Sequence, residues 1–97
     1  MTWKVTYHQE VAEDLEALGP YQAGRIMNVI DARLYRGEPD KVGKPLGGDV
    51  AGCRRLRVGA LRVVYRVESR KREALILAVG PRRQEEVYLK AGKRCTP

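Results

Sequence analysis

Polar and apolar residues alternate from the start of the chain. Trp3, Val5 and Tyr7 fall on one side of a segment whose other side carries Lys4 and Thr6, a period of two that predicts a strand. The period then changes. Val11, Leu15 and Leu18 recur at helical spacing, with Glu10, Glu13, Asp14 and Glu16 over the remaining faces, which predicts an amphipathic helix whose early acids oppose the positive end of its dipole. Gly19-Pro20 ends this helix and opens another. The second helix is expected from about Tyr21 to Arg36, with Ala23, Ile26, Met27, Ile30 and Leu34 along one face, Val29 beside them, and Gly37 and Pro39 as its stop. So short a hinge makes the two a helical hairpin.

Residues 37–52 hold Gly37, Pro39, Gly43, Pro45, Gly47, Gly48 and Gly52 and are expected to form a long loop. Lys44-Pro45-Leu46-Gly47-Gly48 is no phosphate-binding P-loop, because the Gly-Lys-Ser/Thr ending and the strand-to-helix context are absent. Strands are expected at Arg54–Val58 and Leu61–Val67, joined by Gly59-Ala60, and at Leu75–Val79, a continuous apolar run suited to a strand buried on both sides. After Gly80-Pro81 comes a short helical piece with Val87 and Tyr88, and residues 91–97 are expected to be a mobile tail. The order β-α-α-β-β-β predicts a single α+β domain over residues 1–97. A four-stranded, mostly antiparallel sheet would carry the helical hairpin on one face.

The arginines change this from a fold into a candidate site. Strand alternation puts Leu56 and Val58 on one face and Arg55 and Arg57 on the other; likewise Leu61, Val63, Tyr65 and Val67 oppose Arg62, Val64 and Arg66. If the leucines and valines meet the helices, Arg55, Arg57 and Arg62 converge on the open face, with Arg82 and Tyr88 just beyond the last strand. Tyr65 reads as core. Residues 53–67 contain no acid, so the guanidinium groups have no local partners. A planar guanidinium bonds two phosphate oxygens at once and keeps its charge.

Charge distribution points the same way. Residues 1–52 hold 6 Lys/Arg and 8 Asp/Glu, residues 53–97 hold 13 and 4, and the net charge is +7. A small domain with one basic half suits a polyanion, most often nucleic acid. Cys53 and Cys95 match no zinc spacing and are expected to be free thiols, as in a cytoplasmic protein. No signal peptide or membrane-length apolar run is evident. The single histidine, His8, lies away from the arginines. No Ser-His-Asp set, carboxylate pair or metal-ligand cluster accompanies them, so neither metal nor cofactor is expected.

Lys44-Pro45-Leu46 with Gly48, Arg-Leu-Arg-Val-Gly at 55–59, Arg-Val-Val-Tyr at 62–65, and Val-Gly-Pro-Arg at 79–82 with Glu86-Val87-Tyr88 together resemble the RelE/ParE superfamily of toxin–antitoxin toxins, and the ending resembles the RelE branch. The resemblance implies a ribosome-dependent mRNA endonuclease that cuts in the decoding site. In such an enzyme the ribose 2′-hydroxyl attacks the adjacent phosphate without a metal. It implies catalytic roles for Arg62 and Arg82 on the transition state and leaving group. Tyr88 would accept the 2′-hydroxyl proton if neighbouring guanidiniums lower its pKa. Where RelE carries lysine, this chain has Cys53 and Arg55. Arg55 joins the catalytic set as a fixed charge, since arginine is a poor proton acceptor. Arg54, Arg57, Arg83 and Lys44 are candidate contacts to RNA or ribosome. The implied partners are the ribosome, mRNA and a RelB-like antitoxin whose acidic residues would cover the basic surface. Two other readings remain: a ParE-like toxin that blocks DNA gyrase, and a nucleic-acid-binding module without catalysis.

Overall fold

Five strands form one sheet in the order β1-β5-β4-β3-β2. The computed structural model describes residues 3–95, apart from the Gln84 side chain. β1 (Lys4–Tyr7) leads into α1 (Val11–Leu18) and α2 (Pro20–Ile30), which continues as a π-helical turn over Asp31–Tyr35. β2 (Lys44–Pro45), β3 (Cys53–Val58), β4 (Leu61–Glu68) and β5 (Glu73–Pro81) follow, and α3 (Glu86–Cys95) closes the chain. β1 pairs parallel to β5; the other neighbours are antiparallel. The fifth strand is β2, a two-residue piece of the expected loop that pairs Lys44 with Arg55 and Pro45 with Arg54. So short a strand has no readable period, and its pairing depends on the folded neighbour.

The helical hairpin packs on one face of the sheet. Its core joins Val11, Ile26, Ile30 and Leu34 to Leu56, Val63, Tyr65 and Ile76. Met27, expected in this core, is 39% exposed. Val29 packs inward instead, partly buried against the core. The second correction is larger. The face expected to stay open is half covered by α3, which builds a second apolar cluster from Val50, Cys53, Val64, Leu77, Ala78, Val87 and Ala91. The mobile tail expected at 91–97 is therefore helix as far as Cys95, with Ala91 fully buried; residues 96–97 lie outside the described residues.

A β-bulge makes that second cluster possible. Val64 pairs with Ala78 and Tyr65 with Ile76, so Leu77 is an extra residue in β5. Leu77 and Ala78 consequently both face α3, while Ile76 and Val79 face the hairpin. A bulge is how one strand changes which residues it offers to each side.

Candidate functional site

A groove of about 310 Å³ opens beside α3. Arg55 and Arg57 of β3 line it, with Leu46, Gly47 and Val50 from the segment before β3 and Arg82, Glu85 and Tyr88 from the segment after β5. The walls follow from local chain geometry. A 3-10 turn over Gly48–Val50 seats Val50 in the second core. A second 3-10 turn over Arg83–Glu85 leads to α3 through the left-handed backbone of Glu85, and it brings Arg82 and Glu85 to the groove that Tyr88 also lines.

The guanidiniums of Arg55, Arg57 and Arg82 make no hydrogen bond or ion pair with any described residue. Arg57 lies directly opposite Arg62 in the β3–β4 register, a like-charge pair that costs stability. A surface assembled for stability alone would intersperse carboxylates there. Glu85, at the rim, is the only acid lining this groove. Sequence reading passed over Glu85, whose place in the groove comes after a left-handed turn that no spacing in the sequence announces.

Arg62 departs from its expected place on an open face. It is only 5% exposed. Its Nη1 donates to the carbonyls of Gly59 and Leu61, each at 2.8 Å, and its Nε is buried without a partner. The Ala60 carbonyl in the same turn accepts the Arg82 backbone N–H at 3.1 Å. Arg62 thus stiffens the Gly59-Ala60 turn on which the Arg82 backbone rests, and it does not line the groove.

The remaining candidates divide. Arg54 faces the hairpin side, where its Nε donates to the Val42 carbonyl at 2.8 Å and its Nη2 to that of Gly43 at 3.1 Å. It pins the 37–46 loop and is separated from the groove by the sheet. Tyr65 shares that work. Its buried hydroxyl donates to the carbonyls of Pro39 and Val42, both at 2.9 Å, and burial pushes its pKa up to about 12 against the opposing pull of Arg54. Gly43, at φ 74°, fits here because a Cβ would stand 2.8 Å from the Tyr65 hydroxyl. Arg83 and Lys44 are exposed but do not line the groove. Cys53 lies in the second core, where burial, reinforced by Cys95, raises its thiol to about 12. Such a thiol is inert.

A buried ion pair, unanticipated from the sequence, fastens α3. Asp14 of α1 receives Arg94 Nη1 at 2.6 Å and Nη2 at 3.1 Å. Its Oδ2 also accepts the Val79 backbone N–H at 3.1 Å, while Arg94 Nη1 donates to the Leu77 carbonyl at 3.0 Å. β1 ends at Tyr7, leaving this stretch of β5 without a strand on its outer edge. The two side chains complete its hydrogen bonding, which buried backbone requires. Burial by itself would raise the Asp14 pKa; the bonds from Arg94 and Val79 and the nearby charge of Lys90 outweigh it and hold the carboxyl below its ordinary value. His8 belongs to this corner, its Nδ1 accepting the Glu10 N–H at 3.1 Å. Among the described residues no group of three His, Cys, Asp or Glu is placed to hold a metal, and no helix is long and apolar enough to cross a membrane.

Comparison with known proteins agrees with this architecture. The family model for the ParE toxin of type II toxin–antitoxin system, parDE, matches residues 5–86. Toxin RelG of Mycobacterium tuberculosis is 32% identical over 82 residues, covering 84% of this chain and 93% of that protein. A chain of the toxin–antitoxin complex RelBE2 from the same organism superposes with a TM-score of 0.76 at 30% identity, over 84% of this chain and 100% of that one. A mutant of Escherichia coli toxin RelE in the free state gives a TM-score of 0.78 at 21% identity, over 97% and 98%, a likeness of fold.

Proposed function

The chain belongs to the RelE/ParE superfamily of type II toxin–antitoxin toxins, and from that premise we propose that it is a ribosome-dependent endonuclease that cuts mRNA in the decoding site without a metal. The observation that carries this reading is the meeting of Arg55, Arg57 and Arg82 with Tyr88 in one groove. Attack of a ribose 2′-hydroxyl on the adjacent phosphate builds an extra negative charge on phosphorus. Guanidiniums fixed in advance lower the energy of that state more than the energy of the bound message. Arg82, the groove arginine nearest Tyr88 in the chain, suits the departing oxygen, and Tyr88 serves proton transfer. Arg55 and Arg57 hold the phosphate on either side. Arg62 acts from beneath, through its charge and the turn it braces. Arg83 and Lys44, exposed outside the groove, are assigned to ribosomal RNA, and Arg54 is left out because its guanidinium is bound to loop carbonyls.

On this reading the protein works in the cytoplasm, with the ribosome and mRNA as partners and a cognate RelB-like antitoxin as its inhibitor. The test is translation in vitro with purified protein, mapping message 5′ ends by primer extension. New ends at ribosome-occupied codons, lost in Tyr88→Phe, support the reading, and intact message refutes it. A second reading, a ParE-like inhibitor of DNA gyrase, is favoured by the family model that matches residues 5–86; inhibition of gyrase supercoiling by the purified protein would establish it.

A further inference from the structure

Glu85 carries three features that its surroundings do not require. Its backbone is left-handed, at φ 55°, a strained conformation for a residue with a side chain. The helix that follows does not call for it, since residues preceding a helix ordinarily use extended backbone, and an acid anywhere in the first turn serves the dipole. Glu85 lines the same groove as Arg55, Arg57 and Arg82, yet its carboxylate forms no ion pair with them or with any other described residue. Finally, it stands three residues from Tyr88, which lines the same groove. A strained acid kept unpaired among cations is a group held ready for something that arrives.

Resting on the nuclease reading, the geometry points to Glu85 as the general base of the cleavage, with Tyr88 as its general acid. The Glu85 carboxylate takes the proton of the ribose 2′-hydroxyl as that oxygen bonds to the adjacent phosphorus. The bond between phosphorus and the 5′-oxygen breaks, and the departing oxygen takes the phenolic proton of Tyr88. The products are a 2′,3′-cyclic phosphate and a 5′-hydroxyl end. The proton on Glu85 then passes to the phenolate, which restores both groups without a co-reactant. Guanidiniums do not exchange protons at neutral pH, which leaves their role to charge. The left-handed turn is then a positioning device, because it aims Glu85 across the groove.

The experiment measures single-turnover cleavage on ribosomes programmed with two messages. One carries the natural 5′-oxygen at the scissile linkage, and the other a 5′-sulfur, which departs without needing a proton. Wild type, Glu85→Gln, Glu85→Gly and Tyr88→Phe are compared, with ribosome binding measured alongside. Glycine adopts the left-handed backbone without strain, so Glu85→Gly keeps the fold even if glutamine disturbs it. Both Glu85 variants are expected to lose roughly 100- to 10,000-fold in rate on both messages while binding ribosomes as wild type does. Tyr88→Phe is expected to be slow on oxygen and restored on sulfur. Glu85 variants that cut at the wild-type rate overturn the base assignment and leave the nuclease reading intact. Glu85 variants restored by sulfur, with Tyr88→Phe slow on both, reverse the two roles and overturn it equally. A wild-type protein that cuts neither message overturns the nuclease reading, and this inference with it.

Discussion

Replacing Asp14 by Asn is expected to be among the most damaging conservative changes available to this chain. The substitution keeps an oxygen to accept the Val79 N–H but removes the negative charge that Arg94 grips at 2.6 and 3.1 Å. The Arg94 side chain is 9% exposed and that of Asp14 2%, so the buried arginine is left with only the exposed Glu10 carboxylate, 3.8 Å from its Nε, to face it. Breaking one side of such a pair costs about 3–5 kcal/mol. A domain of this size has a total stability of about 5–15 kcal/mol, and each kcal/mol lost lowers Tm by about 4–8 °C. Asp14→Asn is therefore expected to lower Tm by more than about 10 °C. Arg94→Gln alone leaves the buried Asp14 carboxylate with only Lys90, at 3.5 Å, and is expected to cost a similar amount.

The double change Asp14→Asn with Arg94→Gln is expected to be less harmful than either single one. The amides can bond to each other while still serving the Val79 N–H and the Leu77 carbonyl. By contrast, Asp14→Leu with Arg94→Met, the kind of apolar replacement that often stabilises a buried pair, is expected to fail here. It orphans two buried backbone groups, at about 1–3 kcal/mol each. The pH dependence follows from the lowered Asp14 pKa. A depressed carboxyl contributes stability that is complete above its unfolded pKa of about 3.9 and lost as pH falls through the folded value. The wild-type advantage over Asp14→Asn should thus shrink in acid and persist in salt, since buried pairs are weakly screened. Urea unfolding followed by circular dichroism, with the full double-mutant cycle, measures all of this. An Asp14→Asn penalty below about 1 kcal/mol, or a double variant whose cost equals the sum of the singles, would refute the argument that this pair is what seats α3.

Three further outcomes are expected. Arg57→Ala should weaken binding to ribosomes or RNA and reduce the salt slope of log affinity by about 0.7, the share of one single-strand phosphate contact, whereas Arg54→Ala should leave that slope unchanged and lower stability. Tyr65→Phe should cost about 1 kcal/mol in urea unfolding by losing its hydroxyl bond; it should also remove a phenol titrating at about 12 from the ultraviolet titration curve. Because the Tyr65 pKa is raised on folding, its contribution to stability is complete below the unfolded value of about 10 and lost as pH rises toward about 12, so wild type should lose more stability over that interval than Tyr65→Phe. Val87→Ala removes two buried methyl groups from the α3 cluster and should cost about 1.6 kcal/mol, with a further amount for the cavity left behind.

Much of the molecule was legible without coordinates. Alternation along Arg54–Val58 and Leu61–Val67 assigned Arg55 and Arg57 to the face opposite Leu56 and Val58, and the structure puts them there. Helical spacing found the Val11, Ile26, Ile30 and Leu34 core. Parity also placed Tyr65 with the apolar residues. These inferences needed only the sheet period and the helix period, which each residue's immediate neighbours impose.

What escaped were contacts between distant segments. The end of α3, from Ala91, looked like a mobile tail because Ala91-Gly92-Lys93-Arg94-Cys95 has no apolar period. Its burial depends on a bulge at Leu77 and on Asp14, 80 residues before Arg94. Arg54 and Arg62 carry the same charge as Arg55 and Arg57, yet carbonyls from a loop and a turn engage them. Charge and period alone cannot tell a guanidinium that bonds backbone from one that waits for phosphate. The sequence determined the order of the elements, the two faces of the sheet and the family, because those rest on local periodicity and short motifs. The tertiary structure decided which cations stay free and that Glu85 joins them, since a buried group's state depends on the partners the fold brings within about 3 Å of it.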